Sequence, residues 1–118
     1  MNVELFTNAA SLRKSALTEL RDMAVSASVD DDARFVEVLG LVRAVLELKE
    51  GEIAEALMVS RPTVNRWLNG QSDPHPAMRK PIFAWVAREA ESRLRTAKTV
   101  RQATRVVAVS ARRVAAGN

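Results

Sequence analysis

The sequence predicts an all-α fold: a compact helical domain of about five to seven helices with a central helix-turn-helix. Three observations support this prediction. Alanine is abundant, whereas glycine and proline occur only four times each in 118 residues, and this composition favours helices. Apolar residues recur at helical spacing in several segments of the chain. Finally, residues 50–70 have the pattern of two short helices joined by a tight turn.

The two helices of residues 50–70 are predicted from apolar spacing and from capping residues. The inward-facing positions are Ile53, Ala54 and Leu57 in the first helix, and Val64, Trp67 and Leu68 in the second. Ser60 can cap the second helix, and Pro62 is tolerated in its first turn because the missing N–H has no partner there. Gly70 can end that helix in the left-handed conformation.

This segment, EIAEALMVSRPTVNRWLNG, resembles the helix-turn-helix of the Cro and lambda-repressor class, also called the XRE class. That pattern has an apolar residue and alanine in the first helix, a Ser- or Thr-led recognition helix with a central Val or Ile, and a closing Asn-Gly. The matching positions are Ile53, Ala54, Ser60, Val64, Trp67, Asn69 and Gly70. The resemblance extends more weakly over residues 33–90 and implies a second helix that enters the DNA major groove.

Two residues depart from the family pattern. Met58 occupies a turn position that is usually glycine, and a non-glycine residue with positive φ is uncommon. This departure favours a turn of different build. Glu50 occupies the position of a polar residue that often touches phosphate, and an acidic side chain repels phosphate.

The exposed face of the second helix is expected to determine DNA specificity. Arginine can contact guanine O6 and N7, asparagine can contact adenine N6 and N7, and proline or threonine can touch a thymine methyl group. The candidates for base contact are Arg61, Pro62, Thr63, Asn65 and Arg66. The candidates for phosphate contact are Arg43, Ser60, Asn69, Arg79 and Lys80. Arg79 and Lys80 are included because they lie at a predicted helix start, where phosphate is favoured.

Ordinary surface ion pairs are the alternative for these arginines. Arg61 and Arg66 could pair with Glu52 or Glu55, and Arg43 could pair with Glu47 four residues later. The acidic residues of the first helix are otherwise interpreted as a solvated face.

The segments on either side of the helix-turn-helix are also predicted to be helical. A helix is expected over residues 2–25, with an apolar stripe formed by Leu5, Ala9, Leu12, Ala16, Leu20 and Met23 and widened by Phe6 and Leu17. This stripe could pack on the same chain or on a second subunit. Asp31 or Asp32 would cap a helix over residues 33–48, in which Phe35, Val38, Leu39, Val42 and Leu46 supply core. Gly40 could let another helix approach closely.

After a stiff loop containing two prolines, residues 77–95 are predicted to form a helix whose apolar positions are Ile82, Phe83, Trp85, Val86 and Leu94. Pro81 is tolerable if that helix begins near Met78, and otherwise kinks it. The chain therefore divides into an N-terminal helix and linker (residues 1–30), a DNA-binding domain (31–95) and a basic C-terminal helix or tail (96–118).

Three roles remain open for the C-terminal segment: a dimerisation helix, a basic extension along DNA, or a tail that orders on binding. Binding to an acidic membrane surface is a weaker alternative, because a helix-turn-helix already accounts for the charge.

Charge is distributed unevenly along the chain. The overall net charge of +4 combines residues 1–60, with six Lys/Arg and eleven Asp/Glu, and residues 61–118, with twelve Lys/Arg and three Asp/Glu. The change falls at the start of the predicted recognition helix. A basic half joined to an acidic half is typical of a domain that presents one side to nucleic acid.

Other function classes find little support in the sequence. There is no cysteine, no metal-ligand spacing and no glycine-rich phosphate loop. The single histidine, His75, lies between two prolines. We therefore expect no enzymatic activity, no cofactor and no metal. No apolar run is long enough to span a membrane and no signal peptide opens the chain, so we expect no membrane partner and a cytoplasmic location.

These observations predict a sequence-specific regulator of transcription that binds double-stranded DNA. Repression by a homodimer on an inverted repeat is expected from the symmetry of such operators. Two alternatives remain. One is a DNA-binding accessory factor of recombination, or an antitoxin. The other is a protein-interaction module or anti-activator, in which the helix-turn-helix binds a protein partner.

Overall fold

The computed structural model describes residues 3–116, and within this range it describes side chains for residues 9–96. The described residues form helices joined by loops and turns, with no strand, which confirms the predicted all-α class. Its five helices are α1 (Val3–Ser26), α2 (Asp32–Val45), α3 (Glu50–Leu57), α4 (Arg61–Leu68) and α5 (Pro76–Ala116).

The core lies where α2, α4 and α5 meet, and Phe35 is at its centre. The Phe35 ring packs edge-on against Trp67, with centroids 5.8 Å apart, and against Phe83 at 6.0 Å. Such edge-to-face pairs add to the stabilisation from buried area. Of the core positions predicted for residues 33–68, nine are buried: Phe35, Val38, Leu39, Val42, Leu46, Ile53, Ala54, Val64 and Trp67. Leu57 and Leu68, also predicted to face inward, are half-buried and pack against this core.

Helix α1 packs on α5 and α2 of its own chain. Its buried residues are Leu17, Leu20 and Ala24, which lie on one face at helical spacing. The predicted stripe is wrong at Ala9, which is exposed, and at Leu12, which is 70% exposed. Among the described side chains of α1 burial begins only at Ala16, so residues 9–15 do not reach the core. Leu5 and Phe6 lie outside the residues whose side chains are described.

Helix α5 is longer than predicted and continues without a break past Arg95 to Ala116. Its 41 residues correspond to a length of about 60 Å, whereas the 24 residues of α1 span about 36 Å. The Arg79 guanidinium donates to the carbonyl of Val29, so the end of α1 lies beside the start of α5. The two helices therefore run antiparallel, and α5 continues beyond α1.

Local capping explains where the helices begin. Asp31 caps α2 by accepting from the Arg34 amide at 3.0 Å, as expected for an aspartate at this position. At the start of α5, Nδ1 of His75 accepts from the Ala77 amide at 3.1 Å. Pro81 lies inside α5 and is exposed, so the carbonyl left without an N–H partner is near solvent.

The expectation that Gly40 admits a neighbouring helix is wrong. Gly40 is exposed on α2, and a Cβ atom placed on it would meet nothing within 4 Å.

Candidate nucleic-acid interface

Helices α3 and α4 form the predicted helix-turn-helix, and Met58 makes the turn between them. Met58 has φ 58° and ψ 40°, the left-handed conformation. The Val59 amide donates to the carbonyl of Ala54 at 3.0 Å, which closes α3 as a glycine-type helix end. The expectation of a turn of different build is therefore wrong. Met58 adopts the left-handed backbone conformation expected of a glycine at this position, and its side chain is 92% exposed.

Helix α4 is closed at both ends by local hydrogen bonds. Ser60 Oγ accepts from the Thr63 amide at 3.2 Å and lies 2.6 Å from the Thr63 hydroxyl. At the other end Gly70 has φ 68°, and the Gln71 amide donates to the Arg66 carbonyl at 2.9 Å. These contacts confirm the predicted start and stop of the helix. They also place the Ser60 and Thr63 hydroxyl groups in the cap.

The outer face of α4 borders a shallow open groove. Its opposite face is fixed in the core by Val64 and Trp67. The groove is lined by Glu50, Arg61, Pro62, Asn65, Arg66 and Gln71. The structure thus brings together four of the five residues predicted for base contact, and leaves Thr63 half-buried beside the cap.

Sequence reasoning missed Gln71 as part of this groove. It follows the helix-ending Gly70, and the turn made by that glycine returns the chain toward Arg66. A residue directly after a left-handed helix end could have been included for that reason.

The two arginines of the groove are not held by the acidic residues of α3. Neither Arg61 nor Arg66 forms an ion pair with Glu52 or Glu55 in the described structure. Arg66 makes one long hydrogen bond of 3.4 Å to Thr63. Both side chains are exposed, so their donors are available to a ligand.

Glu50 joins three helices beside the groove. Its carboxylate accepts from Asn65 Nδ2 at 3.1 and 3.3 Å and lies 3.7 Å from the Arg43 guanidinium. The Asn65 amide oxygen accepts in turn from Asn69 at 3.1 Å. Three predicted contact residues are therefore connected through an acidic side chain. The alternative pairing of Arg43 with Glu47 does not occur; Glu47 pairs instead with Arg13 at 3.4 Å.

The prediction that Arg79 contacts phosphate is wrong in this structure. Arg79 is only 3% exposed, and its guanidinium lies 5.6 Å from the centre of the Phe35 ring. It donates to the carbonyl groups of Pro74 and Val29 and forms a 2.6 Å ion pair with Asp32. Through these contacts Arg79, on α5, connects the linker after α1, the loop before α5 and the start of α2.

Lys80, the neighbouring candidate, is exposed. No hydrogen bond or ion pair within the described side chains connects it to the groove, so its contact with phosphate stays a prediction.

The described part of the chain shows neither a metal site nor a membrane-spanning helix. It contains no group of three or more His, Asp or Glu side chains placed to hold a metal ion. Among the described residues, no helix combines the length and apolar character needed to cross a membrane.

Comparison with models of protein families, with curated proteins and with solved structures finds no match to this chain.

Proposed function

We propose that the protein binds double-stranded DNA through the outer face of α4 and regulates transcription, as a repressor acting as a homodimer. The observation that supports this proposal most directly is the arrangement of α4. One face is fixed by Val64 and Trp67, and the other presents Arg61 and Arg66 at an open groove.

The dimensions of α4 suit the DNA major groove. Its eight residues make a rod about 12 Å long and, with side chains, about 10–12 Å in diameter, and this diameter fits the major groove, which is about 12 Å wide. Arg61 and Arg66 lie five residues apart, near opposite ends of this rod. Each has a planar fork of donors that can contact O6 and N7 of one guanine. We therefore expect a half-site that contains at least one guanine.

The regulatory role follows from occupancy of an operator. A dimer would place two α4 helices on an inverted repeat, with half-site centres about 34–36 Å apart. The XRE resemblance of residues 50–70 supports the same docking of α4.

The proposal can be tested by selecting bound sequences from a pool of random 24-bp duplexes and measuring affinity in mobility-shift assays. Arg61→Ala and Arg66→Ala should each weaken binding to the selected sequence by about 10- to 100-fold and relax its base preference. Arg21→Ala is the matched control. Arg21 lies on α1, which packs on α2 and α5, and it pairs with Asp22 at the surface. This variant should stay within about twofold of the wild type.

Two results would contradict the proposal. If Arg61→Ala and Arg66→Ala bind the selected duplex as the wild type does, α4 does not read bases. If the wild type retains no duplex even at low salt, the helix-turn-helix is a protein-interaction module instead.

A further inference from the structure

Glu50 is the one acidic side chain that lines the groove beside Arg61 and Arg66 in the described structure. Its side chain is only 18% exposed, because Asn65 and Arg43 cover the carboxylate. An acidic group in this position is unexpected for a surface that binds a polyanion. Its contacts indicate what it does there.

The contacts of Glu50 occupy groups that would otherwise bind DNA. A carboxylate can only accept hydrogen bonds, so the Asn65 amide must turn its NH2 group toward Glu50. Its oxygen then accepts from Asn69. Reading adenine would require the same NH2 group and the same oxygen of Asn65. The guanidinium of Arg43, on α2, also lies within ion-pair distance of the Glu50 carboxylate.

We propose that Glu50 is a specificity-determining residue that competes with DNA phosphate for Arg43 and holds Asn65 against α3. This inference rests on the proposed DNA-binding function. A fixed negative charge at the groove weakens binding to every duplex, whatever its sequence. Tight binding then depends on the base contacts of Arg61 and Arg66, which only the correct sequence supplies. In the complex with the correct sequence Arg43 exchanges the 3.7 Å contact with Glu50 for a phosphate oxygen, whereas on a random duplex Arg43 stays with Glu50.

Four variants separate the charge of Glu50 from its hydrogen bonds. Glu50→Gln removes the charge and keeps an acceptor for Asn65, whereas Glu50→Ala removes both. Glu55→Gln is the matched control, because Glu55 is an exposed residue of the same helix with no described side-chain contact. The double variant Arg43→Gln/Glu50→Gln tests whether Arg43 carries the effect, and a fifth variant, Arg43→Gln alone, is its reference. Circular dichroism and thermal melting establish that each variant is folded.

The measurement is the affinity for a 24-bp random-sequence duplex across a series of salt concentrations. Glu50→Gln should bind about 3- to 10-fold more tightly than the wild type at low salt. Its plot of log K against log salt should steepen by about 0.9, the change for one added phosphate contact. Glu55→Gln should change affinity by less than about twofold. In the Arg43→Gln background, the substitution at position 50 should no longer steepen the plot.

The Asn65 part of the proposal is tested by sequence selection from the random duplex pool. Glu50→Ala releases Asn65, so it should alter the preferred base at one position of the half-site, whereas Glu50→Gln should preserve that preference. The same selected sequence for all three proteins would overturn this part.

The outcomes for Glu50 and for DNA binding itself are distinguishable. If the wild type binds duplex and Glu50→Gln equals Glu55→Gln, only the role of Glu50 is overturned. An equal steepening in the Arg43→Gln background overturns the exchange of Arg43. If neither the wild type nor Glu50→Gln retains duplex at low salt, the proposed function fails as well.

Discussion

Met58 shows how one residue can take a backbone conformation that its side chain disfavours. The left-handed region costs a non-glycine residue about 1–2 kcal/mol, yet Met58 adopts it with φ 58°. The packing of α3 and α4 on either side fixes this turn, because Ile53 and Val64 are fully buried. The strain is therefore offset by burial elsewhere.

Met58→Gly should stabilise the protein. Glycine removes the steric cost and loses little packing, because the Met58 side chain is 92% exposed. Part of the gain is offset by the greater freedom of glycine in the unfolded chain. We expect the free energy of unfolding to rise by about 0.5–1 kcal/mol. Urea denaturation should show a higher midpoint at an unchanged slope. Met58→Ala, which keeps the strain and removes the side chain, should leave the midpoint nearly unchanged, and an equal gain for both variants would refute this account.

Arg79 is the clearest case in which sequence reasoning failed at a single residue. Its position after a loop and beside Lys80 is typical of a solvent-exposed basic pair. Its actual partners include the Val29 carbonyl, fifty residues away, and the Phe35 ring. Contacts of this kind depend on how α5 packs beside α2, and no local pattern around residues 76–81 encodes that packing.

Arg79→Ala should destabilise the fold by about 2–4 kcal/mol, since it leaves the carbonyl groups of Pro74 and Val29 without their donor. The stability of Arg79→Lys should lie between that of the wild type and that of Arg79→Ala, because an ammonium group lacks the planar fork that reaches several acceptors. The control is Arg34→Ala, which removes an exposed i, i+3 pair with Glu37 and should cost under about 0.5 kcal/mol. Thermal and urea unfolding measure all three. A small loss for Arg79→Ala would show that water replaces the guanidinium easily.

At the scale of elements, the helices were predictable where local chemistry determines them. Ser60 starts α4 and Gly70 ends it, as their residue types indicate. The apolar spacing of residues 33–68 also identified the buried face of each helix. The continuation of α5 past Arg95 fits the same rule, because no glycine or proline marks a stop between Arg95 and Ala116; the predicted end near Arg95 had no such residue to support it. The network of Glu50 and Asn65 was missed since it joins residues on different helices.

Replacing Gly70 or Gly40 with alanine should have opposite effects on stability, because the two glycines have different backbone conformations. Gly70 ends α4 with φ 68°, and Gly40 lies inside α2; a Cβ atom meets nothing within 4 Å at either position. Gly70→Ala should therefore destabilise by about 1 kcal/mol through backbone strain alone. Gly40→Ala should stabilise by up to about 1 kcal/mol through helix propensity. Chemical denaturation of the two variants measures the difference, and a loss of stability in both would indicate packing that the structure does not show.

At the scale of the whole molecule, helix α5 carries basic residues away from the helix-turn-helix. The structure extends 66 Å along its longest axis and about 25 Å across, which matches the length of α5. From residue 96 onward the sequence contains five Lys/Arg and no acidic residue. Because α1 is much shorter than α5, the last turns of α5 have no antiparallel neighbour in α1. The basic half of the chain thus includes both α4 and an extended helix.

We expect this basic end of α5 to contribute to DNA binding through charge. Replacing Arg101, Arg105, Arg112 and Arg113 with glutamine should weaken binding to a random duplex. If two or more of them contact phosphate, the slope of log K against log salt should fall by about 2 or more. The control replaces Arg13 and Arg21 of α1 with glutamine and should leave the slope nearly unchanged.

Light scattering on the same proteins distinguishes DNA binding from the other roles of this segment. An unchanged slope together with a lower subunit count would assign the segment to dimerisation. A reduced slope at constant subunit count would assign it to DNA, because charge neutralisation then acts on binding and not on assembly.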